Sequence, residues 1–104
     1  DLAFIAAAAS IGLSIVEQEE RLTVCPGKVD RELFSRIASG SEVAVVMKLS
    51  QCEEEVKHFI SLEEGLVCHY FENVGADGEF YTCDKKDILA REFPYFSLMI
   101  IKGR

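Results

Sequence analysis

SEVAVVMKLS, residues 41–50, carries two readings. Val43, Val45 and Val46 are β-branched and favour a strand. Ser41 as an N-cap, followed by Ala44, Met47, Lys48 and Leu49, permits a short helix instead. A second apolar run repeats the question: FSLMII, residues 96–101, is bounded by Lys102-Gly103-Arg104 and reads as a strand, with a short helix as the rival.

The segments leading into these two runs follow one order. Before the first, residues 2–11 favour helix because alanine loses no side-chain entropy there, and Gly12 stops it. Leu13, Ile15, Leu22 and Val24 alternate with polar positions. They predict a β-hairpin with residues 18–20 at its tip and Pro26-Gly27 at its end. Asp30 is a good N-cap for RELFSRIAS, whose Leu33, Phe34 and Ile37 share a face, and Gly40 closes it.

Before the second run, residues 51–63 read as a helix with Val56, Phe59 and Ile60 on the buried stripe. LVCHYFE and EFYTC predict another hairpin across NVGADG, which carries the Asp77-Gly78 turn signal. Asp84 or Asp87 opens a helix through ILARE, and Pro94 ends or bends it. The repeated order predicts an α+β fold: one domain, 1–104, of two tandem helix–β-hairpin–helix units sharing a core. The units span 1–50 and 51–104, each followed by a short apolar strand or helix.

Residues 8–49 resemble the N-terminal docking domain of the TubC type. Gly12, Leu13, Leu22, Pro26, Glu32, Leu33, Ile37, Glu42 and Leu49 occupy the places of that family's helix end, small hairpin, Pro/Gly turn and helical pair. The resemblance implies a small, often dimeric α+β module that guides recognition between proteins of multienzyme assembly lines.

Composition narrows function further. The chain has 11 basic and 18 acidic residues, a net charge of -7, which disfavours direct contact with nucleic acid. Residues 2–16 are apolar except for Ser10 and Ser14 but short for a membrane span, and no basic flank marks a signal peptide, so no membrane partner is expected. Cys25, Cys52, Cys68 and Cys83 show no Cys-x-x-Cys spacing, and as free thiols they suit a cytoplasmic protein. Cys68 and Cys83 are expected roughly opposite each other across the second hairpin, packed rather than reactive. His58 and His69 have no sequence partner for nucleophilic or metal chemistry; His69 and Cys68 point to opposite faces of a strand. Neither catalytic residues, metal, nor cofactor are expected, and the chain reads as non-enzymatic.

The leading reading is therefore a docking or adaptor module binding another protein, with a homodimer among its candidate states. Its partner surface would use Tyr70, Phe71, Phe80, Tyr95 and Phe96, with Glu17, Glu19 and Glu20 as the acidic element. The alternative is a small acidic inhibitor or accessory protein of mobile genetic elements. It would hold the basic surface of a nucleic-acid-handling partner through Glu17, Glu19, Glu20 and Glu53, Glu54, Glu55. A small enzyme ranks third and would need a buried polar pocket around His69 and Cys68.

Overall fold

The computed structural model describes Ala7 and residues 21–104. The chain runs β1 (Arg21–Pro26), α1 (Arg31–Ala38), β2 (Glu42–Met47), a 3-10 turn (Leu49–Gln51), α2 (Glu53–Leu62), β3 (Leu66–Glu72), β4 (Phe80–Thr82), α3 (Lys85–Ala90) and β5 (Ser97–Gly103). The five strands make one sheet in the order β1-β2-β5-β3-β4. β1 and β2 are parallel; the other neighbours are antiparallel.

Both ambiguous runs are strands, and both lie inside the sheet. Val43, Ala44, Val45 and Val46 are all fully buried. A strand covered on both faces needs apolar side chains on both, which erases the alternation that marks a half-exposed strand. Ala44 and Val46 face the helices, with Leu33, Phe34 and Ile37 of α1, Val56 and Ile60 of α2, and Ile88 of α3. Val43 and Val45 face the other way, with Phe71, Leu98, Ile100 and Ala7.

Local signals set the helix starts. Asp30 accepts a hydrogen bond from the Leu33 N–H at 2.9 Å and caps α1. Asp84, rather than Asp87, caps α3 by accepting from the Lys86 N–H. Gly103 lets the end of β5 pass under the end of α1, since a Cβ there would collide with the Ile37 carbonyl oxygen.

Two tandem helix–hairpin–helix units are not present. β5, from the second half, is inserted between β2 and β3, so the halves interleave in one sheet. Within the described residues β1 pairs in parallel with β2 across α1, whereas β3 and β4 form an antiparallel hairpin. The matching order of sequence signals therefore conceals two different topologies. The expected helix at 2–11 and the strand and tip at 13–20 lie outside the described residues, apart from helical Ala7. Cys68 sits across from Ile101 and is buried, while Cys83 lies beyond the end of β4 and is exposed, so the two thiols do not oppose each other.

Candidate functional site

Met47 is the last residue of β2 and pairs with Leu98 of β5, which pairs in turn with Phe71 of β3. These three stand abreast on the sheet face away from α1, α2 and α3, at the end where β2 and β3 stop. Val74 packs beside them. They floor a cavity of about 380 Å³. Lys48, Asn73, Ala76, Tyr95, Phe96 and Ser97 line it around that floor.

The backbone turns sharply at both strand ends. Lys48 has φ 54° and Asn73 φ 51°, the two left-handed non-glycine residues among those described. Asparagine visits this region readily; lysine does so at a cost, and such strain concentrates at binding sites. At Lys48 the carbonyl accepts from the Gln51 N–H at 3.0 Å, which closes the 3-10 turn. At Asn73 the N–H donates to the Phe96 carbonyl at 2.9 Å, and the carbonyl accepts from the Ala76 N–H at 3.0 Å. The Lys48 amine makes no ion pair or hydrogen bond among the described residues.

The segment from Arg91 to Ser97, which carries Tyr95, Phe96 and Ser97 to the cavity, is tied down along its length. The Arg91 guanidinium donates to Glu72 at 2.9 and 3.2 Å and lies 3.9 Å from the centre of the Phe80 ring. The Arg91 carbonyl accepts from Lys57, the Phe93 N–H donates to Glu53 at 2.9 Å, and the Ser97 hydroxyl donates to the Pro94 carbonyl at 2.7 Å. Lys57 also pairs with Glu53 at 2.7 Å. Burial alone would raise the Glu72 carboxyl, but Arg91 and the Tyr70 hydroxyl hold it below the usual carboxylate range. Between these anchors, the side chains of Tyr95 and Phe96 project 69% and 70% exposed, perpendicular to each other with ring centres 4.8 Å apart.

The aromatic residues read from sequence as one surface are divided. Tyr70 and Phe71 are buried on opposite faces of the sheet, and Phe80 is half-buried under Arg91. Tyr95 and Phe96 are exposed on the cavity rim. Glu17, Glu19 and Glu20 lie outside the described residues. Glu53 is engaged with Lys57 and Phe93, which removes it from any free acidic face, while Glu54 and Glu55 are exposed.

No pocket joins His69 to Cys68. Cys68 is in the core, where burial pushes its thiol up to about 11. His69 is on the other face, with Nδ1 at 2.8 Å from the Tyr81 hydroxyl; burial and then the Lys102 charge lower its pKa. Burial also raises Cys52 to about 11, so these thiols are unreactive packing groups. Among the described residues no group of His, Cys, Asp and Glu gathers to hold a metal ion, and no helix is long and apolar enough to cross a membrane.

An open polar hollow at the other end of β2 is lined by Arg21, Thr23, Arg36, Ser41 and Glu42. Its charges largely answer one another: Glu42 accepts from Arg36 at 2.9 Å and from Thr23 at 2.8 Å.

The mixed sheet, with α1, α2 and α3 packed on one face among the described residues, is similar in fold to solved methyltransferase structures. The crystal structure of the methyltransferase CobJ matches with a TM-score of 0.70 and 10% identity, over 96% of this chain and 47% of that one. Uroporphyrin-III C-methyltransferase from Thermus thermophilus matches with a TM-score of 0.62 and 16% identity, over 92% of this chain and 45% of that one. The same enzyme complexed with S-adenyl homocysteine matches with a TM-score of 0.57 and 12% identity, over 93% and 48%. This chain thus spans about half the length of the structures it matches. No protein-family model matches the sequence, and neither does any curated protein.

These likenesses correct the sequence reading. The fold is shared with methyltransferases, not with the TubC-type docking domain, and the helical pair expected across residues 30–49 is a helix followed by a central strand. The docking or adaptor role drawn from that resemblance, the inhibitor alternative drawn from the acidic residues, and the non-enzymatic assignment drawn from the missing catalytic pattern are all corrected by the match to methyltransferase structures.

Proposed function

We propose that this chain is one domain of an S-adenosylmethionine-dependent methyltransferase of the tetrapyrrole-modifying kind, and that the cavity at the ends of β2, β3 and β5 is its part of the cofactor pocket. The carrying observation is that both left-handed non-glycine residues among those described, Lys48 and Asn73, stand on this one apolar cavity. The ligand named with one structural neighbour, S-adenosylhomocysteine, supports the class of cofactor.

The residues present suit that group. A volume of about 380 Å³ falls in the range of small-molecule sites, about 300–1,000 Å³. Met47, Phe71, Val74 and Leu98 offer an apolar floor for a flat base, and Ser97, Asn73 and Lys48 supply polar groups at its margin. Methionine adapts its shape to a planar ring at little cost. The cofactor supplies the methyl group; this domain's residues bind, orient and shield it from water. Half the length of the neighbouring methyltransferases is accounted for here, so the methyl acceptor, of the uroporphyrin class, would be held together with a second domain. Four free thiols support a cytoplasmic location.

Calorimetric titration of the protein with S-adenosylhomocysteine tests this. Saturable binding is expected, and Val74→Arg, which fills the half-buried floor, should abolish it while leaving the circular dichroism spectrum unchanged. Absence of binding by the wild-type protein, or full binding by the Val74→Arg variant, refutes the proposal.

A further inference from the structure

The β3–β4 hairpin brings together three side chains that the cavity does not use. Tyr81 of β4 stands across from Phe71 of β3, with ring centres 5.0 Å apart, on the sheet face away from α1, α2 and α3. His69, two residues before Phe71, shares that face. Its ring lies nearly parallel to that of Tyr81, at 15°, and its Nδ1 is 2.8 Å from the Tyr81 hydroxyl. The register pairs Tyr70 with Thr82, so one residue past β4 it sets Cys83 opposite His69. The Tyr81 hydroxyl hydrogen-bonds the Cys83 thiol as well. Cys83 is exposed, whereas Cys25, Cys52 and Cys68 are buried. None of His69, Tyr81 and Cys83 lines the cavity.

A nucleophile, a hydroxyl and a base thus follow one another in space, the order an activated thiol needs. We propose that they form a second reactive site, in which Cys83 is a peroxide-reactive thiol that gives its proton to His69 through Tyr81. Each group is in the state such a relay requires. Tyr81 and Cys83 face His69 from the β4 side, and Lys102 faces it from β5. Burial and then the Lys102 charge lower the His69 pKa, so at neutral pH the imidazole is uncharged and free to accept a proton. Burial, and next the Cys83 sulfur, push Tyr81 up to about 12, so its hydroxyl hands a proton on without itself ionising. In the step, the Cys83 proton moves to the Tyr81 oxygen as the Tyr81 proton moves to His69 Nδ1. The thiolate sulfur then bonds to one oxygen of hydrogen peroxide and the O–O bond breaks. Hydroxide leaves and becomes water with the proton that His69 gives up. Sulfur is oxidised to a sulfenic acid and the peroxide is reduced. The other three thiols are buried, so a small external thiol completes the chemistry: its sulfur bonds to Cys83, water leaves, and a mixed disulfide remains.

The test treats the wild-type protein, Tyr81→Phe, His69→Gln and Cys83→Ser with hydrogen peroxide and excess dimedone, which traps sulfenic acid, and follows the adduct by mass. The wild-type protein should gain one adduct, at Cys83, and Cys83→Ser none. Tyr81→Phe keeps the ring against Phe71 and removes only the hydroxyl; it should slow the adduct by about tenfold or more, and His69→Gln should do the same. The pH profile separates a relay from a thiol that is merely exposed. Between about pH 6.5 and 8 the wild-type rate should level off, because the proton moves within the site instead of being lost to solvent. Over the same range His69→Gln should lose about tenfold per pH unit, as an isolated thiol does. Equal rates in the wild-type protein, Tyr81→Phe and His69→Gln overturn the proposal. So does a wild-type profile without the level region, or an adduct on any cysteine other than Cys83. Neither result bears on the cofactor reading, since none of the three residues lines that cavity.

Discussion

Glu72 shows how one side chain ties the core to the site. Its carboxylate is 7% exposed and takes hydrogen bonds from Tyr70 and Arg91 at once. Burial opposes its charge, but those two partners overcome that cost and leave its pKa below the ordinary value. A depressed pKa in the folded state means the stabilisation is fully present above the unfolded value, about 4.3, and is lost as pH falls through the folded one. Glu42, also buried, then held by Arg36 and Thr23, has the same sign. Stability to urea should therefore fall on acidification below about pH 4, and Glu72→Gln should flatten that decline while lowering stability at neutral pH. A Glu72→Gln protein whose urea midpoint kept the wild-type acid dependence would contradict this assignment. Gly103 is a second sensitive residue. Gly103→Ala would drive a methyl group into the Ile37 carbonyl and should cost about 1–3 kcal/mol in chemical denaturation, as overpacking does.

At the level of elements, α1 depends on its Asp30 cap. Asp30→Ala should lower stability by about 1 kcal/mol, read from the urea midpoint at constant slope. Glu53 acts on a different element, the wall segment, through the Phe93 N–H and Lys57. Glu53→Ala should speed hydrogen exchange at the Phe93 amide while the amides of β5 keep their protection; unchanged exchange at Phe93 would show that the tie carries no strength. Elements whose signals are local were legible in the sequence: α1 from its cap and stripe, α2 from Val56 and Ile60, the β3–β4 hairpin, and the start of α3 to one of two aspartates, Asp84 or Asp87. β2 was not, because a strand buried on both faces has no alternation to distinguish it from a buried helix segment. The order of strands was hidden for a further reason. Pairing β2 with β5 brings together residues more than fifty positions apart, and nothing in either run names its partner.

Across the whole molecule, the site exists only because of that pairing. Met47, Phe71 and Leu98 come from three strands and meet in one row, which no local motif announces. Tyr95 and Phe96 were read in sequence as part of a protein-docking patch, with Tyr70, Phe71 and Phe80, rather than as the rim of a cavity. Asn73 was legible only as the first residue of a turn, and Lys48 gave no signal, since a left-handed backbone at lysine has no sequence mark. The measurement that tests the account most directly is amide chemical-shift mapping of the protein with S-adenosylhomocysteine. The account predicts that the resonances that move cluster at Met47, Lys48, Asn73, Ala76 and residues 96–98. No shifts at saturating ligand, or shifts confined to the α1–α2 side or the Arg36–Glu42 hollow, would contradict it.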